Sequence, residues 1–268
     1  MLNLQILALL VGASLVGSAA AVVTERDTAT TGLGALGARA TTITAVEPCP
    51  YIGSTCPAGG FNVEYYSNPL GTYGREGFPS SYYITDRLTP LSSSLTNVTG
   101  FVQDDSPGNP TDPGVTHPNP EFPDAAGAYW PGWTRDTNGG IAVDANNFTL
   151  VYSGYYKAPL SGTYTFCTSA DNRNELYLGH GNAFNCWNAV APADGVEPLA
   201  VAMGGNFQNP EACADVELEA GKYYPVRNVM GNWQGPSAFS FTVRVAGLPC
   251  SSNEFAGLVY PRECAPLA

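Results

Sequence analysis

From Phe239 to Val245 the chain alternates without a break, with Phe239, Phe241, Val243 and Val245 on one side and Ser240, Thr242 and Arg244 on the other. A period of two places successive side chains on opposite faces, so the segment is a half-buried strand and no helix satisfies it. The same pattern recurs along the chain. Phe61–Tyr66 reads as a first strand and Tyr82–Thr85 as a short second one. Phe148–Tyr156, Val216–Glu219 and Tyr223–Met230 follow. No stretch carries a sustained period of 3.6. With 30 glycines, 22 prolines and 15 tyrosines, the composition suits many turns between aromatic-rich strands. The expected fold is all-β, an antiparallel β-sandwich with long surface loops.

The centre of the chain, Tyr155 to Gly181, reads as a hairpin. Tyr164, Phe166 and Thr168 alternate with Thr165, Cys167 and Ser169, and Leu176 and Leu178 share a face opposite Glu175 and Tyr177. Asp171-Asn172-Arg173-Asn174 is read as the tight polar connection between these two strands. Its oxygen-bearing side chains are also the hard donors that calcium prefers.

The ends of the chain divide by composition. Met1–Ala21 has no charged side chain and closes its apolar run on Ser18-Ala-Ala-Ala21, the form of a secretory signal. Residues 22–48, rich in Thr, Ala and Gly, read as a flexible leader. The sandwich is expected over 49–250, with a C-terminal strand and disulfide-linked tail over 251–268. Within it, 103–124 holds six prolines and five acids, the make-up of a long surface loop outside the core. No Ser/Thr-rich stalk or apolar C-terminal segment follows, so no lipid-anchor signal is expected in this chain.

Secretion makes the cysteines legible as disulfides. There are seven, and none is spaced as a zinc site. Cys49, Cys56, Cys186, Cys213, Cys250 and Cys264 are the disulfide candidates, leaving mid-strand Cys167 as the expected free thiol. Asn97-Val-Thr99 and Asn147-Phe-Thr149 are glycosylation sequons suited to the surface of a secreted protein. A formal charge of −12 argues against nucleic acid and anionic membrane as partners. Trp130 and Trp187 lie beside strand-like or cysteine-bearing segments and are expected in the core. Trp133 fits core or rim equally.

Taken in order, several motifs resemble the lectin domain of flocculin-type and GLEYA fungal adhesins, a branch of the anthrax protective-antigen-like β-sandwiches. They are Gly154-Tyr-Tyr-Lys-Ala-Pro-Leu-Ser-Gly-Thr-Tyr-Thr-Phe166, Ser169-Ala-Asp-Asn172, Leu176-Tyr-Leu-Gly179 and Ala183-Phe-Asn-Cys186. Gly221-Lys-Tyr-Tyr-Pro-Val-Arg227, Ser237-Ala-Phe-Ser-Phe-Thr-Val243 and Phe255-Ala-Gly-Leu-Val-Tyr260 complete the series, which spans about 49 to 264. The resemblance implies a calcium ion held by two consecutive acidic residues, usually joined by a cis peptide, and coordinating sugar hydroxyls. Those positions fall on Asp171 and Asn172. A third side-chain ligand falls on Asn232, in what reads as a polar loop from Gly231 to Pro236, with backbone carbonyls from about Gln234 and Pro236. Trp233 and Gln234, with Asp171, would read the sugar. Asn172 departs from the usual Asp and lowers the ligand charge, which weakens calcium binding. The resemblance also implies that Cys186 pairs with a cysteine of the terminal segments, such as Cys49, Cys56 or Cys264.

The implied function is calcium-dependent binding of cell-surface or extracellular glycans, without catalysis. A structural cell-wall or matrix protein of the same fold that binds no sugar is the alternative. A glycan-processing enzyme is the rival from another class. Asp171 with Glu175 or Asp215 would be its first carboxylate pair, and His117 and His180 lack a nucleophile motif beside them.

Overall fold

Among the described residues, thirteen strands carry the fold: β1 (Phe61–Ser67), β2 (Ser92–Thr96), β3 (Gly100–Phe101), β4 (Thr134–Asp136), β5 (Ala142–Asp144), β6 (Asn147–Lys157), β7 (Gly162–Leu178), β8 (Ala200–Gly204), β9 (Ala212–Leu218), β10 (Tyr223–Trp233), β11 (Ala238–Arg244), β12 (Ser251–Ser252) and β13 (Val259–Pro261). The computed structural model describes residues 44–265, apart from 51, 53–55, 69–79, 84–87, 106, 108–129, 131, 193–194, 205–210 and 234. The signal segment, most of the leader, His117, Gln234 and nearly all of the proline-rich stretch therefore lie outside the described residues.

Eleven strands form one curled antiparallel sheet, and β4 and β5 form a separate ribbon. The curl is organised by β7. Its first part, Gly162–Asp171, pairs with β9 on one edge and β11 on the other. Its second part pairs with β8 and β10, from Asn172↔Gly204 and Arg173↔Gly231 onward to Leu178↔Val226. One strand thus belongs to both halves of a sandwich and changes sheet at Asp171–Asn172. This corrects the expected hairpin. Asp171-Asn172-Arg173-Asn174 is not a turn, because the neighbouring strands on both sides supply its backbone partners.

The inward side chains of both halves share one core. Phe166, Phe239 and Phe241 from one half meet Phe61, Phe148, Tyr152 and Tyr156 from the other, with Phe255 between them. Phe241 stacks on Phe166 and Phe255 at ring separations of 6.3 and 5.4 Å. Burying each such ring stabilises by roughly 1.5–3 kcal/mol relative to exposure. Gly154 admits β13 and Phe61 to β6. A Cβ there would lie 2.6 Å from the Tyr260 carbonyl oxygen.

The interiors of β6 and β10 are buried at every position. They therefore lack the clean in–out alternation of a sheet with one wet face. Their outer face is covered by a third layer, where Tyr83 packs on Tyr66, Val151 and Val229. Tyr83 ends a 3-10 turn, Ser80–Tyr83, in place of the strand expected to begin at Tyr82. The expected loop 231–236 is also shorter than read, since Gly231, Asn232 and Trp233 continue β10 opposite Thr149, Phe148 and Asn147.

Three disulfides tie the termini and an edge strand to the sandwich. Cys186 joins Cys49, one of the terminal-segment partners that the resemblance implied for it, and Cys56 joins Cys264, with Cα separations of 5.5 and 5.6 Å. Cys167 is not free. It faces Cys213 in the β7–β9 register and is bonded to it, and Cys250 is the exposed free thiol. Residues 44–48 are also more than leader. Thr44 donates its N–H to the Asp215 carbonyl, and the Glu47 carbonyl accepts from His180. Trp130 is buried, but Trp187 is 43% exposed and is not a core residue. Trp133 is half-buried, edge-on to Trp130 at 5.0 Å.

Candidate functional site

The chain crosses between the two half-sheets twice in one place. Within β7 the crossing is the Asp171–Asn172 peptide, which is cis. The second crossing is the Gly235–Ser237 link from β10 to β11, and β11 then pairs Ala238 with Asp171. Asp171, Asn172, Asn232 and Pro236 are thereby brought to a single junction, although about 60 residues separate the two segments.

The polar groups there are buried. Asp171 is 5% exposed and Asn232 fully buried. Burial alone pushes the Asp171 carboxyl from its ordinary 3.8 up to about 6. Its Oδ1 accepts a hydrogen bond from Asn172 Nδ2 at 2.8 Å. Asn232 Nδ2 donates to the carbonyls of Ala145 (3.0 Å) and Gly235 (3.4 Å). Its Oδ1, turned the other way, is buried without a hydrogen-bond partner. A buried carbonyl oxygen in that condition costs about 1–3 kcal/mol unless something supplies the missing positive end.

These donors fit a hard cation. A carboxylate whose ionised form is penalised by burial and an amide oxygen lacking a donor are both relieved by a bound divalent ion. Asn172 is placed differently from a ligand: its Oδ1 accepts the Trp233 N–H at 2.5 Å. A further group of metal-binding side chains among the described residues, Cys167, Glu211 and Cys213, has its two sulfurs in a disulfide and offers no thiolate.

A network that the sequence pattern did not reveal holds the second crossing. Arg135 Nη1 donates to Asp104 Oδ1 (2.8 Å) and to both the carbonyl and hydroxyl oxygens of Ser237 (2.6 and 2.8 Å). Asp104 Oδ1 also accepts the Ser237 N–H. The guanidinium lies 4.3 Å from the centre of the Phe101 ring. From the other side, Asn68 Nδ2 donates to the Asn232 carbonyl at 3.0 Å. An isolated Arg and an Asp beside a proline-rich stretch carry no periodic signal, which is why only the fold exposes them.

The acids considered for glycoside hydrolysis are engaged elsewhere. Glu175 pairs with Arg173 at 2.5 Å and accepts from the Tyr177 hydroxyl, and Asp215 accepts from Thr165 Oγ1. His180 Nδ1 accepts the Cys186 N–H. Of the sequon residues, Asn97 and Asn147 are half-buried, and their partners Thr99 and Thr149 are fully buried rather than at the surface.

Residues 148–245 match the GLEYA domain family model. That stretch of the chain is similar to the GLEYA domain. That span runs from β6 through β11, so the matched segment contains both crossings and every strand flanking them. Flocculation proteins FLO1 and FLO9 of Saccharomyces cerevisiae are 28% and 27% identical to the chain over 137 residues, 48% of its length. That stretch is only 8% and 10% of the two yeast proteins. Among solved structures, the Epithelial Adhesin 9 A domain of Candida glabrata, in complex with Galβ1-4GlcNAc, superposes with a TM-score of 0.59 at 22% identity. The match covers 82% of this chain and 96% of that one. The Epithelial Adhesin 6 A domain of the same organism, in complex with Galβ1-3GlcNAc, gives 0.56 at 22% identity over 82% and 93%. The likeness to these solved structures is one of fold.

Proposed function

We propose that this chain is a secreted, cell-surface or cell-wall-associated glycan-binding protein. In this reading calcium is held by Asp171 and Asn232, with Asn172 beside it and a backbone carbonyl from Pro236. Bound there, the ion would supply open coordination positions for a sugar diol. The observation that carries the reading is the meeting, at one junction, of a buried carboxyl pushed up to about 6 and a buried amide oxygen without a partner. In this reading half-buried Trp233, next in sequence to Asn232, would offer an apolar surface to a sugar ring. The glycan complexes of the two adhesin A domains support the ligand class. The apolar N-terminal segment and three disulfides support secretion. Among the described residues no helix is long and apolar enough to cross a membrane.

A second reading, a scaffold of the same fold that binds no sugar, is favoured by the Asn172 amide. By donating to Asp171 it supplies part of what a cation would. Calorimetric calcium titrations, paired with a glycan array run with calcium and with a chelator, separate the two. The lectin reading expects calcium binding that Asp171→Ala abolishes together with glycan binding. Identical titrations for both proteins, or chelator-insensitive glycan binding, would remove the calcium-dependent reading.

A further inference from the structure

The outer face of the half-sheet formed by β9, the first part of β7 and β11 carries a second group of chemically capable side chains, apart from the Asp171 junction. On β9 the period of two sends Val216 and Leu218 into the core and leaves Cys213 on the solvent side, with Glu211 two residues before it. Cys213 is the direct antiparallel partner of Cys167 and is bonded to it. The Glu211 carboxylate and the two sulfurs all lie within 4.8 Å of one another.

The three disulfides differ in access. Cys49 and Cys186 are both buried, and buried Cys264 is paired with half-buried Cys56. Cys213 alone among the bonded cysteines is exposed. Thiol–disulfide exchange begins when a thiolate reaches one of the two sulfurs, so an exposed bond reacts first. Glu211 is also exposed, and among the described residues it is committed to no hydrogen bond or ion pair. Two cysteine sulfurs and a carboxylate on one accessible face are the donors of a borderline-soft divalent ion such as zinc. Only the bond between the sulfurs keeps them from that role.

We infer that reduction of Cys167–Cys213 opens a zinc site, with the two thiolates and the Glu211 carboxylate as ligands and water in the fourth position. The reductant is a dithiol. One of its thiolates attacks Cys213 Sγ and expels the Cys167 thiolate. Its second thiol then displaces Cys213 from the mixed disulfide, so one protein disulfide is reduced and one dithiol is oxidised. Zinc replaces the two thiol protons, which pass to solvent. The seven register pairs from Gly162↔Leu218 to Thr168↔Ala212 keep the two cysteines facing each other after the bond opens. Their Cα atoms are 4.1 Å apart, so side-chain rotation suffices to seat both sulfurs on one ion at about 2.3 Å. The ion then takes over the cross-link of an edge strand whose Asp215 carbonyl also accepts the Thr44 N–H.

The test titrates the full chain with dithiothreitol, traps free thiols by alkylation and identifies them by mass spectrometry. Cys167 and Cys213 should be released before the other two pairs. The chain reduced at that bond, freed of reductant under nitrogen, is then titrated with zinc chloride. One ion should bind with release of close to two protons, read by calorimetry in buffers of different ionisation enthalpy. The oxidised chain should bind at least about a hundredfold more weakly, because it offers no thiolate. Calcium, which prefers hard oxygen donors, should not compete. Glu211→Gln should weaken zinc severalfold and leave calcium titration unchanged. Bound zinc should also slow alkylation of Cys167 and Cys213, a readout that holds even if the reduced chain loosens. Earlier release of another disulfide, equal zinc affinity in the oxidised chain, or thiols that zinc leaves unprotected would each overturn the proposal. Unchanged affinity in Glu211→Gln would remove the carboxylate from the ligand set and overturn the site as stated.

Discussion

The Trp233 backbone N–H donates to Asn172 Oδ1 at 2.5 Å, joining the end of β10 to the residue at which β7 changes sheet. Because that N–H requires an acceptor, the Asn172 amide has one orientation, and its Nδ2 is turned onto Asp171. Replacing Asn172 with Asp keeps the acceptor for Trp233 but removes the donor and sets two carboxylates side by side. Asn172→Asp is therefore expected to melt lower than wild type in chelator and to gain more on adding calcium. Differential scanning calorimetry in both conditions reads this. A variant insensitive to calcium would count against the site.

A cation held at Asp171, as proposed, would compete with the proton. The Asp171 carboxyl, pushed up to about 6, holds a proton in the pH range where calcium needs the ionised form. Between pH 7 and pH 5 the ionised fraction falls about tenfold, so apparent calcium affinity should fall by the same factor. Titrations at the two pH values test this, and a flat profile would exclude Asp171 as a ligand.

Without calcium the same shift costs stability. The folded value of about 6 lies above the ordinary 3.8, so through this window the folded chain keeps a proton that the unfolded chain has lost. Calcium-free stability should decline as pH rises from about 4 to 6. Asp171→Asn removes the penalty and should stabilise the calcium-free protein at pH 7 by about 3 kcal/mol while abolishing calcium binding. Urea unfolding with and without chelator shows both effects. A destabilised calcium-free variant would mean that the carboxylate is already compensated.

The strands were legible where one face is wet. Phe239–Val245 alternates in sequence, and β11 (Ala238–Arg244) keeps that alternation from Phe239 to Arg244. The misreadings share a physical cause. A polar Asp-Asn-Arg-Asn run reads as a turn because such residues satisfy local backbone groups. Here adjacent strands satisfy the backbone, and the polar side chains gather at a junction between sheets. Periodicity contains no information about such crossings. Cys167 read as a buried free thiol for the same reason, since its partner lies directly across the sheet in β9 and not nearby in sequence. The junction residues Asp171, Asn172 and Asn232 came from the family resemblance, whereas Arg135 and Asp104 needed the fold.

Arg135 is expected to act on the site by positioning the β10–β11 link. Its guanidinium makes three bonds to Asp104 and Ser237 and is barely exposed. Arg135→Met removes the charge and leaves the half-buried Asp104 without its cation beside the link. The loss should be about 3 kcal/mol in urea unfolding. Calcium affinity should fall with it, although Arg135 is assigned no place among the ligands. Asp104→Asn in the same background should recover part of the stability, because it removes the stranded charge. Unchanged stability in Arg135→Met would show that the link is held by strand pairing alone.

The disulfides are expected to differ from the free thiol by a wide margin in stability. Cys49–Cys186 and Cys56–Cys264 close loops with sequence separations of 137 and 208 residues and anchor segments that otherwise make few strand pairs. Cross-linking such long loops restricts the unfolded chain, and removing a native bond of this kind costs about 2–5 kcal/mol. Replacing both cysteines of either pair with serine should lower the melting temperature by several degrees. Cys250→Ser, at an exposed position, should leave it unchanged and abolish labelling of the folded, non-reduced protein by a thiol reagent. Mass spectrometry after alkylation without reductant should find a single labelled cysteine. Labelling of Cys167 or Cys213 in that experiment would contradict the β7–β9 bond.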